Sequence, residues 1–407
     1  MSVAKQSENW RDRRLRRNVW LLTLLQGVHA GFSLSFPVLV LIWEAQGMSL
    51  REVMVLQALF ALSIAVCEVP SGYFADLVGR KASLLVASVA MVLAAWFYLR
   101  AGSFNEFLLA EMILGLAFAF ASGADQALFF DSLKSLGREA EFQKRWGWAR
   151  GVSGFSSAAL LIIGGLLGSL DLRYPLIAVL LVKLIGVAFA VGLVEVRQER
   201  SMNVQRAGVA ELIGLAKRCL LDSRRLRWLI LYPALLLAST RLAVWLYQPY
   251  MSLSGIPIEL FGVLFAAFNA VAALGAHYAD RVESRFGERN VAILSLALVV
   301  VSYELLGSFV TVASFALFLT HQWARGFVQV VFNSYLNGEI DSNRRSTVIS
   351  LQSMIGTVVY ALGLFPVGWV VEQVSVPATL NLIGLMVLLA LGLVSVLCFE
   401  GRSKGSL

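Results

Sequence analysis

The 407-residue chain is 58% apolar and only 15% charged, with a mean hydropathy of +0.74. That excludes a string of soluble domains: a hydrocarbon core of ~30 Å is crossed by about 20 mostly apolar helical residues, and charge-free runs of that length recur throughout the chain. The net charge of +8 raises the question of an anionic partner, which the placement of the charges answers.

The amino-terminal stretch "MSVAKQSENWRDRRLRRN" is basic and leads into Val19–Trp43, which carries no Lys, Arg, Asp or Glu. That run is too long for a signal-peptide core, so a retained first span is expected. Further spans are expected at 50–71, 82–100, 105–130, 144–169, 174–194, 227–251, 258–280, 290–308, 313–338, 345–371 and 375–399, the first being 18–43. They read as helices because lipid forces every backbone polar group to be paired internally. Barrel strands would alternate apolar and polar residues, and these runs do not.

With the amino terminus inside, 27 of the 34 Lys and Arg residues fall on the cytoplasmic side. Only Arg51, Arg100 and Arg173 fall outside, while Arg150, Lys183, Arg241 and Arg325 lie within spans. Such a split places both termini in the cytoplasm. The positive charge is therefore a topology signal, and no nucleic-acid partner is expected. Residues 195–226 form the one long connection, where "RAGVAELIGLAKRCLLD" has the spacing of a short helix lying on the inner membrane surface. Cys67, Cys219 and Cys398 all map near the cytoplasmic side, so no disulfide is expected.

The halves repeat. Gly47 matches Gly255, Asp76 matches Asp280, Gly115 matches Gly326 and Asp131 matches Asp341, at offsets of 208, 204, 211 and 210. The expected organisation is a six-helix bundle over 1–194, a linker over 195–226 and a second bundle over 227–407. Parallel repeats of this kind are a transporter architecture, with the solute site at the repeat interface near mid-membrane.

After the second span comes "GYFADLVGRK", with Gly72, Asp76, Gly79, Arg80 and Lys81 in the pattern G-x-x-x-D-x-x-G-R-K. This resembles the loop signature of the major facilitator superfamily, and the resemblance extends over essentially the whole chain. It implies an all-α membrane protein of twelve helices in two pseudo-symmetric bundles. The motif reads as a cytoplasmic gate in which Asp76 accepts helix N-terminal amides. The resemblance implies that this partner is the eleventh helix, which starts after Asn343-Arg344-Arg345. Asp280 and Asp341 are the gate candidates of the second half, where "AHYADRVESRFGER" reads as a degraded copy. Two antiporter features are incomplete: Glu111 stands where an Arg often precedes Gly115 by four residues, and the fifth span lacks a Gly-Pro pair.

In the superfamily the first, fourth, seventh and tenth helices line the cavity, so polar groups there carry most weight. Ionisable residues at membrane depth are costly and mark function. Arg241 and Arg325 are expected to bind solute or to form an internal salt bridge with Glu111 or Glu304; a guanidinium holds an anion with two parallel bonds. The other solute candidates are His321, Gln329, His29, Gln26 and Trp245. The proton-coupling candidates are Glu111, Asp125, His29 and His321, whose proton affinity depends on burial and neighbouring charge. The solute and proton candidates His321, Arg325 and Gln329 belong to a six-residue seam along the tenth span that continues through Asn333, Asn337 and Asp341. Lys183 and Glu304 read as structural.

The expected function is secondary active transport of a small organic solute by alternating access, coupled to protons. The lean is to efflux of an amphipathic or anionic compound, with proton-coupled uptake of an organic anion as the alternative. A receptor or membrane-embedded enzyme would need nucleophile–base or metal-ligand clusters, and neither these nor a cofactor site is found. A monomer in a bacterial-type inner membrane is expected. A phosphatase reporter inserted at Gly102 is expected to be active, and one fused after Leu407 inactive. The opposite pattern would invert the topology.

Overall fold

The structure is a computed structural model that describes residues 2–196, 214, 217–340 and 345–398, with residues 2–11, 218, 222 and 345–347 described as backbone. All regular structure in it is helical. The first span is α1 (Ser2–His29), two 3-10 turns (Ala30–Leu34 and Phe36–Val38) and α2 (Leu39–Ala45). Next come α3 (Leu50–Leu77), α4 (Arg80–Arg100), α5 (Phe104–Ala121), α6 (Ala124–Ser135), α7 (Phe142–Leu170) and α8 (Arg173–Gly192). The later half comprises α9 (Arg224–Leu242), α10 (Val244–Leu253), α11 (Ile258–His277), α12 (Ala279–Ser308), α13 (Phe318–Glu339), α14 (Arg345–Gln373) and α15 (Val376–Cys398).

Among the described residues, eleven segments are long and apolar enough to cross a membrane. The tenth expected span, α13, has 22 residues, about 33 Å at ~1.5 Å per residue, and is long enough. Its polar seam lowers its hydropathy. Three spans are interrupted. Pro37, with no N–H to donate, sits within the 3-10 turns of the first span. Gly123, at φ 75°, separates α5 from α6, and Ala243 separates α9 from α10.

Two expectations change. The loop expected after the eighth span is largely helical: α12 begins at Ala279 and bends at Gly287, whose φ is 70°. The surface helix expected over 206–222 lies mostly outside the described residues, and only a π turn at Arg218–Asp222 is seen.

By contacts the chain divides into two units: Met1–Met48, Leu59–Met202 and Ile258–Ala266 in one, and Ser49–Ala58, Asn203–Pro257 and Ala267–Leu407 in the other. In the first unit, Leu22, Leu25, Leu128, Phe129 and Ala149 form a buried cluster joining α1, α6 and α7. The small residues Ala87, Ala90, Ala117 and Ala121 bring α4 and α5 close. In the second unit, Tyr232 stacks on Phe332 at 5.2 Å and 8°, and Tyr247, Phe268, Phe315 and Phe318 interlock. Many large apolar side chains are exposed, such as Phe155 at 80% and Trp148 at 68%, the pattern expected where lipid is the solvent.

Small residues set the closest helix approaches. At Gly164 in α7, a Cβ would run into the backbone carbonyl of Leu34 in the first span, whereas at Gly154 in the same helix nothing is near. Gly164→Val is expected to destabilise the protein by about 1–3 kcal/mol through overpacking, and Gly154→Val to leave it unchanged. Thermal midpoints of the two purified variants check this.

Candidate functional site

The second unit gathers the two mid-span arginines around aromatic rings. Arg241 is the penultimate residue of α9, beside the Ala243 interruption. Its guanidinium carbon lies 4.2 Å from the centroid of the Tyr360 ring on α14, a cation–π contact. Trp245, one turn further along, donates its indole N–H to the Tyr360 hydroxyl at 2.7 Å. From α13, Arg325 donates to the amide oxygen of Asn269 on α11 at 3.4 Å. It interacts electrostatically with Tyr247 and Arg241. Gln322 holds the Tyr247 hydroxyl at 2.9 Å. Among the described residues neither Arg241 nor Arg325 has a carboxylate partner. Within this unit, an internal salt bridge with Glu304 is therefore not the arrangement found among the described residues.

The other arginines set the contrast. Arg225, at the start of α9, holds Glu288 through two nitrogens and Glu339 at 3.2 Å. Arg80 is ion-paired with the buried Asp131. These two span-end cations are thus matched by acids, and the mid-span pair is not.

The first unit holds the carboxyl groups. Asp125 lies in the first turn of α6, directly after the Gly123 interruption, and accepts a 2.5 Å hydrogen bond from Gln26 of α1. It interacts electrostatically with Arg150. Gln26 and Asp125, singled out for separate roles, are thus joined. Glu111, only 2% exposed, accepts a hydrogen bond from the Tyr98 hydroxyl of α4. His29 ends α1, and Lys183 of α8 donates to its backbone carbonyl.

His321 differs from the expectation. It is fully buried, 4.3 Å from the Tyr303 ring and 5.6 Å from the Phe318 ring between centroids. Steps of four residues turn about 40° around a helix, which is enough to aim His321 at α12 while Arg325 meets α11. Gln329 lies on an accessible face, and Asp280 is exposed. Asp341 and the Asn343–Arg344 start of the eleventh span lie outside the described residues.

The loop motif makes a local turn and a local hydrogen-bonded set. Gly79, at φ 129°, makes the turn into α4. The amides of Arg80 and Lys81 there donate to Glu195 at 3.1 and 2.8 Å. Glu195, from beyond α8, thus takes the N-terminus of α4, and Asp76 acts electrostatically on Arg80. Arg80 also donates to the Ala127 carbonyl at 2.9 Å. Gly72 sits near the end of α3, within its last turns.

Tyr98, Glu195, Asn269 and Tyr360 were not anticipated. Asn269 alone had a visible signal, as the lone amide in an otherwise apolar α11. The others became visible only through partners distant in the chain.

Solved structures share this fold. The nucleoside transporter NupG superposes with a TM-score of 0.79 at 13% identity, covering 93% of this chain and 98% of that one. A bacterial homologue of the human lysosomal transporter Spinster, inward-facing and unoccupied, gives 0.72 at 14% identity and covers 95% of each chain. A D-xylose–proton symporter gives 0.69 at 14% identity, with 97% and 100% covered. No curated protein sequence matches the chain. The family model of the Major Facilitator Superfamily matches residues 21–254, more than half of the sequence, and this multi-pass membrane protein therefore belongs to that superfamily of transporters.

Proposed function

We propose that this transporter carries a small organic anion together with a proton. The observation that supports it is the pair Arg241 and Arg325, two cations within one unit that interact unfavourably with each other and that have, among the described residues, no acid to neutralise them. An unpaired charge at membrane depth is costly, and two like charges compound the cost. A carboxylate or phosphate entering between them relieves both, and guanidinium forks grip such groups bidentately. Trp245 and Tyr360 add flat apolar surface beside the charge, which suits an anion with an organic body.

The charge balance favours uptake. A membrane potential costs or gains ~2.3 kcal/mol per charge for each 100 mV, so a negative-inside cell expels anions without any coupling. Importing a monoanion with one proton makes the cycle electroneutral. Asp125 is the better proton carrier of the two acids. It is half-buried beside a helix interruption, while Glu111 is enclosed. A carrier must reach water to load and release its proton.

The test is flux in proteoliposomes, with labelled benzoate, gluconate, succinate, glucose and choline under an imposed pH gradient. Losing a hydrogen bond to a charged group costs ~1.5–3 kcal/mol. Arg325→Ala and Arg241→Ala should therefore each lower anion flux by roughly 10- to 100-fold, mainly through KM. Transport of glucose or choline, unaffected by either substitution, would overturn the anion reading. Outward movement of anions with inward protons would instead establish efflux by exchange.

Asp125→Asn is expected to abolish gradient-driven accumulation while keeping solute exchange at equal concentrations, since exchange moves no net proton. Glu111→Gln should leave accumulation intact. The reverse result would move the coupling site to Glu111.

A further inference from the structure

Between Glu259 and His277, Asn269 is the one polar side chain of α11. It is exposed at mid-span, where a polar group in a membrane helix is costly and marks function. Its amide oxygen accepts from the Arg325 guanidinium at 3.4 Å. We infer that Asn269 is the charge selector of the solute site: it holds the Arg325 guanidinium in place without neutralising it, so that the cation stays available to an anion.

The packing of α11 on α13 fixes where that amide points. Phe268, the preceding residue, is buried against the rings of Tyr247 at 5.1 Å and Phe315 at 5.5 Å between centroids. That anchors the rotation of α11, and a step of about 100° carries Asn269 away from the aromatic cluster. Further along, the two helices meet backbone to backbone. A Cβ at Gly275 would lie 2.5 Å from the Trp323 carbonyl oxygen, and one at Gly326 would run into the carbonyl of Ala272. Small residues permit such approaches. Gly326 directly follows Arg325, so the tightest point of the seam lies beside the arginine's own Cα and sets its distance from Asn269.

The choice of an amide over a carboxylate decides the charge. Aspartate has the shape of asparagine and would place a charged oxygen where the amide oxygen now accepts. Arg80 and Arg225 have such acids in Asp131 and Glu288, whereas among the described residues Arg325 has none. A carboxylate at 269 would close the pair, and at low dielectric it would cancel most of the attraction for a solute anion. An apolar residue would leave the long guanidinium side chain to be ordered by the solute itself, which weakens binding. The amide avoids both. Tyr247, the other neighbour of Arg325, is neutral as well, and Gln322 donates to its hydroxyl at 2.9 Å. Asn269 acts on the solute through Arg325, which makes it a positioning residue.

This inference rests on the anion reading, and one arm of its test does not. In the full-length protein purified in detergent, thermal midpoints of the parent, Asn269→Asp, Arg325→Ala and the double variant form a double-mutant cycle. Asn269→Asp should raise the midpoint, because the new carboxylate meets a cation that lacks one. In the Arg325→Ala background the same change should lower it. An equal shift in both backgrounds overturns the inference, as does an aspartate variant that fails to fold. In the second arm, proteoliposome flux of labelled benzoate, gluconate and succinate is measured. Asn269→Ala should raise KM about tenfold, the scale of a hydrogen bond to a charged group, with kcat little changed. Asn269→Gln, which keeps the amide, should recover most of that loss. Asn269→Asp should raise KM by roughly 10- to 100-fold, as far as Arg325→Ala does. A structural role would reverse the order, since aspartate keeps the shape that alanine removes. An aspartate variant milder than the alanine one, or a loss confined to kcat, therefore overturns the inference. A parent that carries none of the three anions sinks the proposed function and leaves the thermal cycle to decide the pairing.

Discussion

The absence of water in hydrocarbon governs the rest of this structure. Each backbone carbonyl released by a broken helix must find a partner inside the protein, so an interruption survives only where the surroundings supply one. The first span changes from α to 3-10 winding after His29, and Lys183 donates to the carbonyls of Val28 and His29. The fourth breaks at Gly123, where a left-handed glycine lets α6 restart and Asp125 enters its first turn. The seventh breaks at Ala243, flanked by Arg241 and Trp245, which share Tyr360. In each case an ionisable residue stands within two positions of the break. This is how a mostly apolar chain concentrates its few charges: the breaks create local dipoles, and the dipoles make buried charge tolerable.

The same constraint separates structural charges from working ones. Arg80 with Asp131, and Arg225 with Glu288 and Glu339, are closed sets near span ends. Breaking such a set leaves a charge uncompensated, so these pairs resist change. Arg241 and Arg325 form an open set whose neighbours are an aromatic ring, an amide and each other. An open set gains from a ligand what a closed one already has. This asymmetry, more than the number of arginines, supports an anionic solute.

The fold was legible from the sequence because hydropathy and the placement of Lys and Arg act over local windows. The spans at α7, α11, α14 and α15 follow directly from long runs without charge. The interruptions were not legible. Pro37 and Gly123 are visible as residues, but whether they kink, bend or break a span depends on what lies opposite, and Lys183 is 155 positions from Val28. Arg241 and Arg325 could be singled out as costly charges; Tyr360 and Asn269 could not, because their role arises from packing across helices. His321 shows the limit of reading a seam: fourfold spacing drifts around the helix, and a residue one turn from Arg325 faces a different neighbour.

The two copies of the loop motif carry this further. Read as letters, the second copy is degraded, with four extra residues before its glycine and no Arg-Lys after it. In space the device persists. Gly79 and Gly287 both adopt positive φ, at 129° and 70°, and in each case the next residue is the charged member of an ion pair. In the first copy that residue is the cation Arg80, paired with Asp131 in the span that follows. In the second it is the anion Glu288, and Arg225 from the start of α9 joins it to Glu339 at the end of α13. The signs have been rearranged while the turn and the closed charge set remain. What duplication preserved is the need to neutralise a helix end at the membrane boundary, and a need of that kind constrains charge balance and backbone conformation more tightly than residue identity.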